Sequence, residues 1–225
     1  TASGPIKELT NKLAECLVSY GDEGLADRSL IYGGRLVLPD YQDRDEYRDR
    51  VGRLYGRFPQ DIRSSNHTTI PLKISHADEK RFVVSPSGNG YCETNTGLDP
   101  ILWENWKDQF FVVVAKDFEP GSILPYNNRC TAFPGSNCLK INGKTNVAAI
   151  VFFAGERSND QTRDLTAFTN DNSLSDRSGL WNEYLDAGNR HLYDGTTATD
   201  DFVLDPGDYS VCIVKNPAGL SVEAC

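Results

Sequence analysis

The chain has 225 residues, of which 39% are hydrophobic and 24% charged, with a formal net charge of −9. That length supports a real core, and the composition is that of a globular chain rather than a disordered one. An acidic surface repels phosphate, and no Lys/Arg cluster stands out beyond the mixed-sign run from Asp43 to Arg57, so nucleic acid is excluded as a partner.

No stretch approaches the roughly 20 apolar residues needed to span a bilayer. Methionine is absent, even at position 1. The chain is therefore expected to begin at a processed boundary from which any targeting segment has been removed.

Residues 6–20 predict a helix. Ile6, Leu9, Leu13, Leu17 and Tyr20 recur at spacings of three and four and form one apolar stripe. Pro5 suits the first turn, where its missing N–H has no intrahelical partner, and Gly21 and Gly24 are expected to end the helix. A helix of this length with one apolar face is not stable alone, so its stripe must lie on a sheet.

Residues 21–80 carry little periodicity. Tyr47, Val51, Leu54 and Tyr55 would suit a short amphipathic helix within the charged run, read as a solvated helix with internal ion pairs rather than a binding patch. Asn66-His67-Thr68 fits a glycosylation sequon, which carries meaning only in a eukaryotic secreted protein. From residue 81 the pattern turns to strand. Arg81-Phe82-Val83-Val84 is short, and Asn89-Gly90 marks a turn. Residues 110–115 and 147–154 are nearly continuous Val/Phe/Ile runs, as expected of central strands. The polar stretch 156–199 is long enough to be a functional loop. Val203-Leu204 and residues 209–214 read as the last pair of strands, joined by the turn Asp205-Pro206-Gly207-Asp208.

Six cysteines and no C-x-x-C favour disulfides and an oxidising compartment over zinc. Many pairings are open to six cysteines. Cys130–Cys138 would close a small Pro/Gly/Asn loop, and Cys212–Cys225 would staple the C-terminus to the last strand, leaving Cys16–Cys92 by elimination. The alternative keeps Cys16 as a free, buried thiol acting as a small hydrophobe.

Catalytic constellations are thin. There is no G-x-S-x-G elbow and no phosphate-binding glycine loop. The three histidines, His67, His76 and His191, are isolated in polar sequence, and no acid sits alone on an apolar strand where a raised pKa would be expected. The expectation is a protein that is not an enzyme. The best candidate metal ligands are Asp186, Asn189, Asp194, Asp200 and Asp201, an oxygen-rich set suited to calcium; solvated loop carboxylates are the competing reading. No other cofactor is expected.

Several segments resemble the soluble domains of type IV pilin-like proteins, the family of minor pilins and type II secretion pseudopilins. Leu13-Ala14-Glu15-Cys16-Leu17-Val18-Ser19-Tyr20-Gly21 is similar to the end of the long pilin helix. Trp106-Lys107-Asp108-Gln109 running into Phe110-Phe111-Val112-Val113 resembles the entry to a central strand of that family. Residues 147–155 with Arg157 resemble that family's strand ending in a small residue and glycine, Tyr184-Leu185-Asp186 with Asn189 its acidic loop element, and Asp200-Asp201-Phe202-Val203 its aspartate-phenylalanine strand start. The resemblance covers the helix and roughly residues 100–214.

It implies an α+β, pilin-like single domain over 1–225. An N-terminal amphipathic helix (about 5–20) would pack on an antiparallel sheet (within about 81–225), with an elaborated αβ-loop over about 21–80. It further implies a periplasmic or extracellular assembly subunit whose partners are other pilin or pseudopilin subunits, with a tip adhesin or a secreted substrate as further candidates. An apolar segment absent from this chain would anchor the precursor in the inner membrane, and Cys212–Cys225 would correspond to the disulfide-closed C-terminal region of many pilins. The competing readings are a secreted disulfide-bonded binding module or adhesin, and a secreted hydrolase working through loop carboxylates.

Overall fold

The computed structural model describes residues 3–26, 34, 36–37, 54–59, 82–85, 88, 90–119, 122, 124–131, 137–155 and 209–225. An N-terminal helix, α1 (Gly4–Ala26), lies on an antiparallel sheet, giving an α+β architecture. The sheet has six strands: β1 (Leu54–Arg57), β2 (Phe110–Val114), β3 (Leu139–Ile141), β4 (Lys144–Phe153), β5 (Tyr209–Asn216) and β6 (Gly219–Ala224). Their order is β1-β2-β4-β5-β6, and β3 pairs with β4. Two short helices, α2 (Tyr91–Thr96) and α3 (Pro100–Trp106), precede β2.

The apolar stripe of α1 is buried along its length at Ile6, Leu9, Leu13, Leu17 and Tyr20, joined by Ala14 and Cys16. Thr10 is also buried, and its hydroxyl is satisfied by donating to the Ile6 carbonyl at 2.8 Å. The helix runs past Gly21 and Gly24, which were expected to end it. Tertiary contacts oppose the glycine cost of roughly 1 kcal/mol. The Gly21 carbonyl accepts the Gly34 N–H at 3.1 Å, and the next helical residue, Asp22, reaches the start of β6, where its carboxylate accepts the Leu220 N–H at 3.2 Å.

The strands β2 and β4 are central, and neither face meets solvent: all five residues of β2 and residues 147–153 of β4 are buried. Successive side chains alternate between faces, so a strand buried on both reads as an unbroken apolar run. Phe110, Val112 and Val114 face one way with Phe153, Val151 and Ala149 of β4, while Phe111 and Val113 face the other way with Phe152 and Ile150. Asn142-Gly143 turns β3 into β4 with both residues at positive φ (48° and 79°), the geometry that Asn-Gly supplies most readily.

Three expectations are corrected. The end of the charged run, Leu54–Arg57, is an edge strand rather than part of a helix; it pairs with β2 from Leu54↔Val114 to Arg57↔Phe111. The main-chain edge of β2 is satisfied this way, which outweighs the local helical spacing. Tyr47 and Val51 lie outside the described residues.

Phe82 and Val83 are buried but form no strand. Their carbonyls instead accept the Cys92 and Glu93 N–H groups at 2.9 and 3.1 Å, capping the first turn of α2. Gly90, just before that helix, is required by this closeness: a Cβ there would collide with the Val83 carbonyl oxygen and the Val84 Cα.

Finally, the hairpin partner of β5 is β6, with Asn216↔Gly219 closing the turn. The other edge of β5 is taken by β4, in a register that has Val147↔Val214 and Phe153↔Tyr209 at its ends. Val203-Leu204 and the turn at 205–208 lie outside the described residues.

Candidate interaction site

All six cysteines are paired, as Cys16–Cys92, Cys130–Cys138 and Cys212–Cys225. Cys16 is not a free thiol; it ties α1 to α2, and both sulfur-bearing residues are buried. Cys212–Cys225 joins β5 to the residue after β6. Disulfides form and persist in oxidising compartments, and three of them assign the domain to one.

The direction of α1 follows from its polar contacts. Near its start, Asn11 donates to the Tyr209 hydroxyl at 3.0 Å and Lys7 sits 5.5 Å over the Tyr209 ring; near its end, Asp22 meets Leu220. The helix therefore runs along β5 in the same sense. At the N-terminal end of α1 its exposed residues are polar or small: Gly4, Pro5, Lys7 and Glu8. Lys12 bonds the Gly97 carbonyl at 2.8 Å, just past the end of α2.

At the same end of the sheet, an aromatic column leads outward. Phe58 meets Trp103, Trp103 meets Phe110, Phe110 meets Phe153 and Phe153 meets Trp106, with centroids 5.2–6.0 Å apart. The column holds α3 against the strand ends. Asp99 starts that helix by accepting the Ile101 and Leu102 N–H groups, and Pro100 occupies its first position. Ile101 (73% exposed) and Trp106 (38%) are the exposed large hydrophobic residues among those described, and both belong to α3. The charges around them are paired within the chain, Lys107 with Glu104 at 2.8 Å and Arg57 with Asp108 at 2.6 Å.

The opposite end of the sheet holds the polar cluster. Arg129 is fully buried; it donates to the Gly34 and Leu124 carbonyls at 2.9 and 3.1 Å and lies over the Phe118 and Tyr126 rings. Tyr126 donates to the Asn216 carbonyl at 3.0 Å, and the Lys215 ammonium lies over its ring, 5.4 Å from the centre. Burial, reinforced by the Asp22 charge, pushes the Tyr126 hydroxyl up to about 12. Burial also raises the Asp22 carboxyl, against the Leu220 hydrogen bond, and lowers Lys215, helped by the Arg129 charge. These groups are invested in main-chain carbonyls, the Leu220 N–H and ring faces, so the cluster reads as a clamp between α1, the β5–β6 turn and the segment holding Phe118, Leu124, Tyr126 and Arg129. Sequence reasoning has no handle on it, because its members are scattered from residue 22 to residue 216 and leave no periodic signal.

Among the described residues, no three His, Cys, Asp or Glu side chains form a group able to hold a metal ion. The candidate calcium ligands Asp186, Asn189, Asp194, Asp200 and Asp201 lie outside those residues, as do His67, His76, His191 and the sequon at Asn66. No described helix is long and apolar enough to cross a membrane. No protein-family model, curated protein or solved structure matches the chain.

Proposed function

We propose that the chain is an assembly subunit, a minor pilin or pseudopilin, of a type IV pilus or related secretion filament, acting in assembly initiation, tip capping or adhesion. The observation that carries this reading is α1: a single N-terminal helix laid lengthwise on an antiparallel sheet, its apolar stripe spent on that sheet. One further feature supports it: the C-terminal hairpin is closed by Cys212–Cys225. Partners would then be other subunits of the same filament, with a tip adhesin or secreted substrate as further candidates.

The test is the gene sequence immediately upstream of Thr1. A short basic leader followed by about 20 apolar residues, the length that spans a bilayer, with a glutamate among them, supports the reading. An ordinary cleavable signal peptide ending near Thr1 overturns it and leaves a secreted binding module in its place.

A further inference from the structure

One buried carboxylate is used by none of the foregoing. Asp117 sits in a short 3-10 turn (Lys116–Phe118) after β2 and is 2% exposed. Its two oxygens reach the two ends of the loop closed by Cys130–Cys138. Oδ2 accepts the Cys130 N–H at 3.1 Å and Oδ1 accepts the Asn137 N–H at 2.9 Å, with the Cys138 sulfur 3.8 Å from Oδ2. Cys130 also holds φ at +55°, a left-handed conformation that non-glycine residues seldom adopt. The residue before it, Arg129, is fixed by the Gly34 and Leu124 carbonyls. The conformation that brings the two cysteine Cα atoms to 5.2 Å is thus held by contacts made outside the disulfide itself.

We propose that Asp117 is the positioning residue of the Cys130–Cys138 bridge: its carboxylate gathers both ends of the loop, so the two thiols stand at bonding distance before they oxidise and remain there when the bridge is reduced. The chemistry needs a small disulfide as oxidant. The two protein thiols lose two protons and two electrons as their S–S bond forms, and oxidised glutathione takes both up as its own S–S bond breaks, leaving as two reduced molecules. Asp117 takes no part in that exchange. It raises the effective concentration of one thiol toward the other, because a charge-assisted hydrogen bond at each loop end removes chain freedom in advance. Reciprocity follows from linkage: whatever the carboxylate adds to the bridge, the bridge adds to the carboxylate's contacts.

The experiment equilibrates the folded protein in glutathione buffers of graded ratio, traps free thiols with an alkylating agent, and reads each bridge by mass spectrometry. D117A is expected to lower the effective molarity of Cys130–Cys138 by roughly tenfold or more, leaving Cys16–Cys92 and Cys212–Cys225 at wild-type values. D117N, which keeps one acceptor oxygen, falls between. An unchanged Cys130–Cys138 equilibrium in D117N and D117A overturns the proposal. Should D117A not fold, amide hydrogen exchange on the C130S/C138S protein decides independently. Protection retained at positions 130 and 137 supports positioning ahead of the bond, and protection lost there shows that the bond makes the contacts and refutes it.

Discussion

The Cys16–Cys92 bridge closes a sequence separation of 76 residues, against 13 for Cys212–Cys225 and 8 for Cys130–Cys138. If a disulfide acts mainly by removing freedom from the unfolded chain, the loss on removal grows with the logarithm of the loop. The three loops then correspond to about 4.5, about 2.9 and about 2.5 kcal/mol in that order. Replacing Cys16 and Cys92 together by alanine avoids burying a hydroxyl between α1 and α2, where both residues have no solvent exposure. The double variant should lose about 4.5 kcal/mol, a shift of about 1.5 M in the urea midpoint at a slope near 3 kcal/mol/M. The matching Cys212/Cys225 variant should lose visibly less. Urea titration followed by far-UV circular dichroism, on non-reduced protein, makes the comparison. A Cys16/Cys92 loss no larger than that of Cys212/Cys225 would refute the chain-entropy argument and assign the bridges a chiefly local, enthalpic role.

Other outcomes follow from single sites. Leu13→Ala removes a fully buried stripe residue and should cost about 2–5 kcal/mol in the same titration, whereas Glu15→Ala on the exposed face of α1 should stay within about 0.5 kcal/mol. Gly90→Ala should destabilise by about 1–3 kcal/mol, since its Cβ meets the Val83 and Val84 backbone; a wild-type midpoint would contradict that close approach. The Asp22 carboxyl is raised above 3.8 by burial, so its contribution to stability is present in full below that value and is lost as pH rises through the folded pKa. Asp22→Asn, which still offers an oxygen to Leu220, should therefore melt higher than wild type at pH 7, the gap closing in acid; a lower melting temperature at pH 7 would count against burial as the dominant cause. Tyr126, pushed from 10.0 to about 12, contributes stability that is lost as pH rises through about 12. Ultraviolet titration comparing Y126F with wild type should show one late-ionising tyrosine missing from the variant.

The legible parts of the sequence were those in which local pattern and tertiary demand agree. The α1 stripe and the apolar runs of β2 and β4 were of this kind, since a helix with one buried face and a strand with two leave different periodicities. The disulfide pairs were legible where loop length limits the choice. The end of α1 was not, because Gly21 is overruled by contacts to Gly34 and Leu220, which are remote in sequence. Phe82-Val83 resembles a strand by composition, but its carbonyls are consumed by α2. The β3–β4 turn at Asn142-Gly143 and the return at Pro217-Ala218 do carry local turn chemistry, set beside the stronger apolar runs next to them. Asp117 had no signature at all: its role depends on two amides that reach it only in the folded chain.

The carboxylate of Asp22 has one more consequence, for what can grow on this sheet. Because the Leu220 N–H goes to Asp22, it points away from β5, and alternation turns the main-chain groups of Val222 and Ala224 outward with it. The first of these three positions is already occupied, and immediately beyond the third the chain is bound back to Cys212. The open groups are those of Val222 and Ala224, alternate residues that together span only three positions, the length of β3. This margin of the sheet is therefore short and bounded at both ends, by the Asp22 carboxylate and by the Cys212–Cys225 bridge, which limits the main-chain pairing that β6 offers to another strand.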